Sequence, residues 1–234
     1  MGEIAGPLLA VRHNAQAKPN PQGRQFAIAR WPQPSDILAT VSSEPVVTAP
    51  LLSRSVGLEA FHHVRDRRLR HLLSYWLKSR GDALAPRRTD IDPTAIGPIL
   101  ASVWLCDYLP EERRFRMRLA GEDINLLYSR NITQCYFEEI IAPPLLADVV
   151  RRYRRVVEEP AILHCGGHIY LATQRSDVGE RLVLPLAGDD GALTHVIGAS
   201  VYAAPDPRNR AGPIMRESMA ETFTPLAASV GGDG

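Results

Sequence analysis

Arg114-Phe115-Arg116-Met117-Arg118-Leu119-Ala120-Gly121-Glu122 alternates charge with bulk and then stops at a glycine. Successive side chains on a strand point to opposite faces, so Phe115, Met117 and Leu119 share one face and Arg114, Arg116 and Arg118 the other. The apolar face must look into a core. Upstream, 101–109 reads as a partner strand, joined to this one through Pro110-Glu111-Glu112-Arg113 as a hairpin loop. Downstream, Gly121 opens a helical stretch over 122–130, followed by a short helix at 136–141. A longer helix is expected over 143–159, with Leu146, Val149, Val150, Tyr153 and Val157 inward. Strands resume at 161–172, 181–187 and 194–203, the last two separated by the turn Gly188-Asp189-Asp190-Gly191.

Ahead of the strands, Leu58, Phe61, Leu69, Leu72, Leu73, Trp76 and Leu77 recur at spacings of three and four and mark one face of a leading helix. Gly81 ends it. Arg65, Arg67, Arg68, Arg70 and Lys78 fall mostly on the other face and read as a solvated surface. Thr89-Asp90-Ile91-Asp92-Pro93 supplies a cap and an early proline for a short helical turn through Leu100. The flanks differ in kind. Prolines 19, 21, 32, 34, 45 and 50 interrupt 1–57, which is expected to be disordered or weakly structured, and 204–234 reads as a flexible tail. Within that tail, 215–223 reads as a short helix or a docking segment. The folded unit is therefore expected at 58–203.

The chain of 234 residues is 45% hydrophobic and 23% charged, ordinary for a globular protein, and a net charge of +1 gives no global field for nucleic acid or an anionic membrane. Cys106, Cys135 and Cys165 are odd in number and widely spaced, which suits a reducing compartment and argues against a disulfide framework. There is no run of apolar residues long enough for a membrane span, and the N-terminus lacks the pattern of a signal peptide. A cytoplasmic location is expected.

Two strands, a helical insert and three further strands behind an amphipathic helix resemble a PAS domain. Tyr75-Trp76, Asp90-Ile91-Asp92-Pro93, Phe115 to Gly121, Ile132-Thr133 and Leu182-Val183-Leu184-Pro185-Leu186 before Asp190-Gly191 are similar to the single-PAS-domain proteins common in alphaproteobacteria. The resemblance covers about 58–203. It implies an α+β fold: a five-stranded antiparallel sheet with helices on one face, a cavity between them, and the amphipathic helix in front. One departure stands out, because the family pattern puts glycine where this chain has Gln134.

Several residues invite sharper chemistry. His164-Cys165-Gly166-Gly167-His168 has two histidines that would share a strand face, yet paired glycines more often mark a bend, so a structural role is preferred to a metal or haem site. Cys135 lacks the surrounding run that bonds flavin in light-sensing PAS relatives, and 143–159 holds no haem-ligand histidine. Arg151, Arg152, Arg154 and Arg155 around Tyr153 read as a solvated face rather than an RNA or nucleotide site. His62, His63 and His71 read as surface histidines, with a pH-sensitive dimer contact as the alternative.

No nucleophile elbow, phosphate loop or metalloprotease motif is found, so no enzyme activity, metal or cofactor is expected. The expected role is a bacterial cytoplasmic signalling module acting by protein–protein contact. Its ligand site would be lined by Met117, Leu119, Phe137, Tyr153, Leu184 and Val201, holding a small molecule. Its interface would be Leu69, Leu72, Leu73 and Trp76 on the first helix, mediating a homodimer or a partner signalling protein, with no nucleic acid or membrane involved. The alternative is a constitutive adaptor with a filled core. A cavity of several hundred cubic ångströms favours sensing; a filled core favours the adaptor.

Overall fold

The computed structural model of the protein describes residues 47–48, 58–169, 177–202 and 219–226. The strands are β1 (Val47–Thr48), β2 (Val103–Leu109), β3 (Arg114–Ala120), β4 (Ala161–Ile169), β5 (Asp177–Ala187), β6 (Leu193–Tyr202) and β7 (Ala220–Pro225). The helices are α1 (Arg67–Arg80), α2 (Glu122–Leu127), α3 (Phe137–Ile140) and α4 (Pro143–Glu158). All the strands join one sheet in the order β1-β7-β4-β5-β6-β2-β3. The five strands read from the sequence form its antiparallel body. β7 adds antiparallel to β4, and β1 adds parallel to β7, so both flanks of the expected unit extend the sheet.

The C-terminal addition corrects two expectations. Residues 220–225 are strand rather than helix, and Phe223 is 1% exposed, packed in the core opposite Leu163 on β4. The segment is held because β4 would otherwise leave an edge of unpaired backbone groups beside buried side chains. The remaining expectations for 1–57 and 204–234 lie outside the described residues.

Both faces of the sheet are apolar in its centre. Leu182, Val183 and Leu184 are consecutive and all fully buried, which a strand achieves only when each face is covered. α2, α3 and α4 cover the face of Trp104, Cys106, Phe115, Leu163 and Val183. α1 covers the opposite face, with Leu182, Leu184, Ile197 and Val103. Asp66 caps α1 by accepting the Arg68 backbone N–H at 2.8 Å, so the helix starts later than its periodicity suggests and Leu58–Phe61 forms a separate 3-10 turn. Gly81, at φ 52, closes the other end.

This arrangement also corrects the expected interface. Leu69, Leu72, Leu73 and Trp76 are each 0% exposed, and the Trp76 indole N–H donates to the Pro185 carbonyl at 2.9 Å. The stripe packs on the second apolar face of the sheet, with Leu182, Leu184 and Ile197. It is internal packing.

Candidate ligand cavity

The hairpin β2–β3 and the helices α2 to α4 frame a small cavity on the sheet face opposite α1. A register shift sits between Leu105 and Cys106: Leu105 pairs with Leu119, whereas Cys106 pairs with Met117, so Arg118 is an extra residue on β3. The bulge reverses the alternation beyond it. Met117 faces inward and is 6% exposed, while Leu119 is turned out at 43%. β3 is also paired on its free side: the Gln134 backbone N–H donates to the Met117 carbonyl at 2.6 Å, and the Met117 N–H donates to the Cys135 carbonyl at 2.8 Å. Gln134 reaches this geometry at φ 70.

Aromatic rings fill most of the space. Phe115 stacks on Phe137 at 5.2 Å between centroids, Phe137 meets Tyr153 edge-on at 5.1 Å, and Tyr153 stacks on Trp104 at 5.4 Å. Such pairs are worth about 0.5–1.5 kcal/mol each beyond their burial. What remains is a cavity of about 40 Å³ between Trp104, Met117, Tyr128, Phe137, Tyr153 and Tyr202. Its floor is polar. The Ser200 hydroxyl accepts the Arg181 Nε–H at 2.9 Å and the Trp104 indole N–H at 3.3 Å. Burial pushes the Tyr128 phenol up to about 12 and raises Tyr153 well above its ordinary value, so both stay neutral.

The PAS domain family model matches residues 64–201, which spans the hairpin, the cavity helices and the strands beneath them. The chain belongs to the PAS domain family. Among solved structures, one of a fungal LOV domain photoreceptor is 17% identical and covers 50% of this chain and 94% of its own, with a TM-score of 0.34. A light-oxygen-voltage domain studied with a flavin analogue is 13% identical, covers 48% of this chain and 84% of its own, with a TM-score of 0.32. No curated protein matches the chain.

Within this PAS domain the expected site divides in two. Met117, Phe137 and Tyr153 line the cavity together. Leu119, Leu184 and Val201 do not: the bulge at Arg118 turns Leu119 outward, and Leu184 and Val201 lie on the α1 face. Trp104, Arg181 and Ser200 were missed. A lone arginine beginning the run Arg181-Leu182-Val183-Leu184 was the available signal, since Arg181 and Val183 alternate onto the cavity face and Ser200 pairs with Arg181 across strands.

The helical arginines and His164 find structural partners. Arg151, Arg152, Arg154 and Arg155 pair with Asp148, Glu221, Glu158 and Glu159, and Arg155 also lies 4.1 Å from the Phe223 ring centre. His164 Nε2 lies 3.0 Å from Glu180 Oε2. The three cysteines are free thiols. Among the described residues, no group of three or more His, Cys, Asp and Glu side chains has the geometry of a metal site. No helix among them is long and apolar enough to cross a membrane.

Proposed function

We propose that this PAS domain is a signalling module that works by contact with another protein, without catalysis, and that its cavity is closed by its own side chains. One observation carries the reading: the cavity of about 40 Å³. That is room for about one water, against the ~300–1,000 Å³ of a ligand pocket. For the cavity between the sheet and α2 to α4, the criterion of volume favours the filled-core adaptor over the small-molecule sensor. The contact surface is not the α1 stripe, whose four large side chains are fully buried.

A sensing reading is favoured by a different feature, the polar floor. Arg181, Ser200 and the Trp104 N–H sit under otherwise apolar walls, where a ligand with an oxygen acceptor would be oriented once α3 and α4 moved apart. Native mass spectrometry of the purified full chain, with an absorbance scan, separates the two. The closed-cavity reading expects the bare polypeptide mass and a colourless protein. A small molecule retained through desalting, or a flavin or Soret band, overturns it in favour of sensing.

A further inference from the structure

Away from the cavity, on the α1 face, the segment leading into α1 is fastened to the end of the sheet. Glu180 on β5 accepts the Arg65 backbone N–H through Oε2 at 2.9 Å and the Asp66 backbone N–H through Oε1 at 3.1 Å. Asp66 is the N-cap of α1, so Glu180 holds the helix start in place. His164 on β4 places Nε2 at 3.0 Å from the same Oε2. An ionised carboxylate only accepts, which assigns the His164 proton to Nε2. His63, from the lead-in segment, lies ring against ring with His164 at 5.1 Å, and its Nε2 is buried with no hydrogen-bond partner among the described residues.

The surroundings decide what a proton on His63 would meet. From its own segment come His62, at 5.7 Å between rings, and Arg65, Asp66 and Arg68, the last two paired with each other at 2.9 Å. From the sheet, His164 on β4, Glu180 on β5, Val201 and Tyr202 on β6, and Ala220 and Thr222 on β7 line one pocket of about 770 Å³ together with His63. Among the described residues lining this pocket, Glu180 is the one carboxylate that Arg68 does not pair with, and its oxygens already serve two backbone N–H groups and His164. A neutral His63 fits this site; a charged one has a desolvated N–H without an acceptor and two imidazoles beside it.

We propose that His63, His164 and Glu180 form an acid-sensitive latch, which clamps the approach to α1 against the sheet at neutral pH and releases it on acidification. Burial, then His164 and His62, lower the His63 pKa to about 4 against the opposing pull of Glu180. Burial likewise lowers His164, although Glu180 pulls the other way. Both lie below the ordinary value of 6.5, so the released form binds the protons. The clamp is fully present above 6.5 and is lost as pH falls towards 4. Phe61 and Val64, both 0% exposed, flank His63 and set the cost of opening.

Amide hydrogen exchange on the full chain, corrected for the intrinsic effect of pH, tests the latch. Peptides covering 61–70 are expected to exchange about tenfold faster near pH 5 than near pH 7.5, while peptides from 182–186 and 196–200 keep their protection. His63→Phe, which keeps a ring and cannot titrate, should hold 61–70 protected at both pH values. Glu180→Gln should loosen it at both. His62→Gln should behave as wild type. Protection of 61–70 that ignores pH, His63→Phe with the wild-type pH response, or loss of protection in all peptides together overturns the proposal. Histidine NMR on the wild type is a second measurement if His63→Phe does not fold: an imidazole of His63 that titrates at or above 6.5 overturns it too.

Discussion

Two backbone positions show how single residues shape the PAS cavity. Gln134 adopts φ 70, where a side chain costs about 1–2 kcal/mol and glycine little. Glycine is also the more flexible residue when unfolded, which offsets part of the gain. Gln134→Gly is therefore expected to raise the unfolding free energy by up to about 1 kcal/mol in urea titrations. A loss would show that the Gln134 side chain makes contacts worth more than the strain. Gly198 is the opposite case. Added to Gly198, a Cβ would lie 2.2 Å from Trp104 Cζ2 and 2.5 Å from the Leu182 carbonyl oxygen, and the second neighbour is backbone that cannot swing aside. Gly198→Ala should cost about 1–3 kcal/mol or more and displace the Trp104 ring, which its fluorescence would report.

At the scale of elements, local periodicity carries most of the secondary structure. The hairpin β2–β3, the helices behind it and the strands after Pro160 follow from periodicity within each segment, and their limits differ from expectation by a few residues. What escaped depended on distant partners. β7 has one large apolar residue on its buried side, Phe223, and only pairing with β4 reveals it as core. Leu119 looked inward because one extra residue in β3 cannot be seen without its partner's register. Trp104, Arg181 and Ser200 meet only through the alignment of β2, β5 and β6. The folded unit expected at 58–203 leaves out β7, which pairs with β4. Phe223→Ala is expected to cost about 3–5 kcal/mol, and a chain ending at 203 should melt more than about 5 °C lower. Equal melting of the two would mean that β7 adds no stability. Leu69→Glu, placed in a fully buried site, should lose cooperative near-ultraviolet unfolding rather than dissociate a dimer.

For the whole molecule, acid acts on one side of the balance. His63 is lowered to about 4 and His164 and His195 are also lowered, in each case first by burial, so each favours the unfolded chain as pH drops below 6.5. Asp66 and Glu158 are held low first by hydrogen bonds from Arg68 and Arg154, and their contribution is lost at still lower pH. None of these five groups adds stability in acid. The urea midpoint should fall steadily between about pH 6.5 and 4, and a midpoint that rises in this window would contradict the assigned burial of the histidines.

The order of the sheet has a consequence for the chain while it is being made. β4 leaves the ribosome about fifty residues before β7, the strand that covers its outer edge. At ordinary elongation speeds that interval lasts roughly 3–10 s, during which β5 occupies only the opposite edge of β4 and the outer one is open to a neighbouring nascent chain. Slow translation between 170 and 219 lengthens the exposure, and codon choice in that stretch should alter soluble yield without changing a single amino acid.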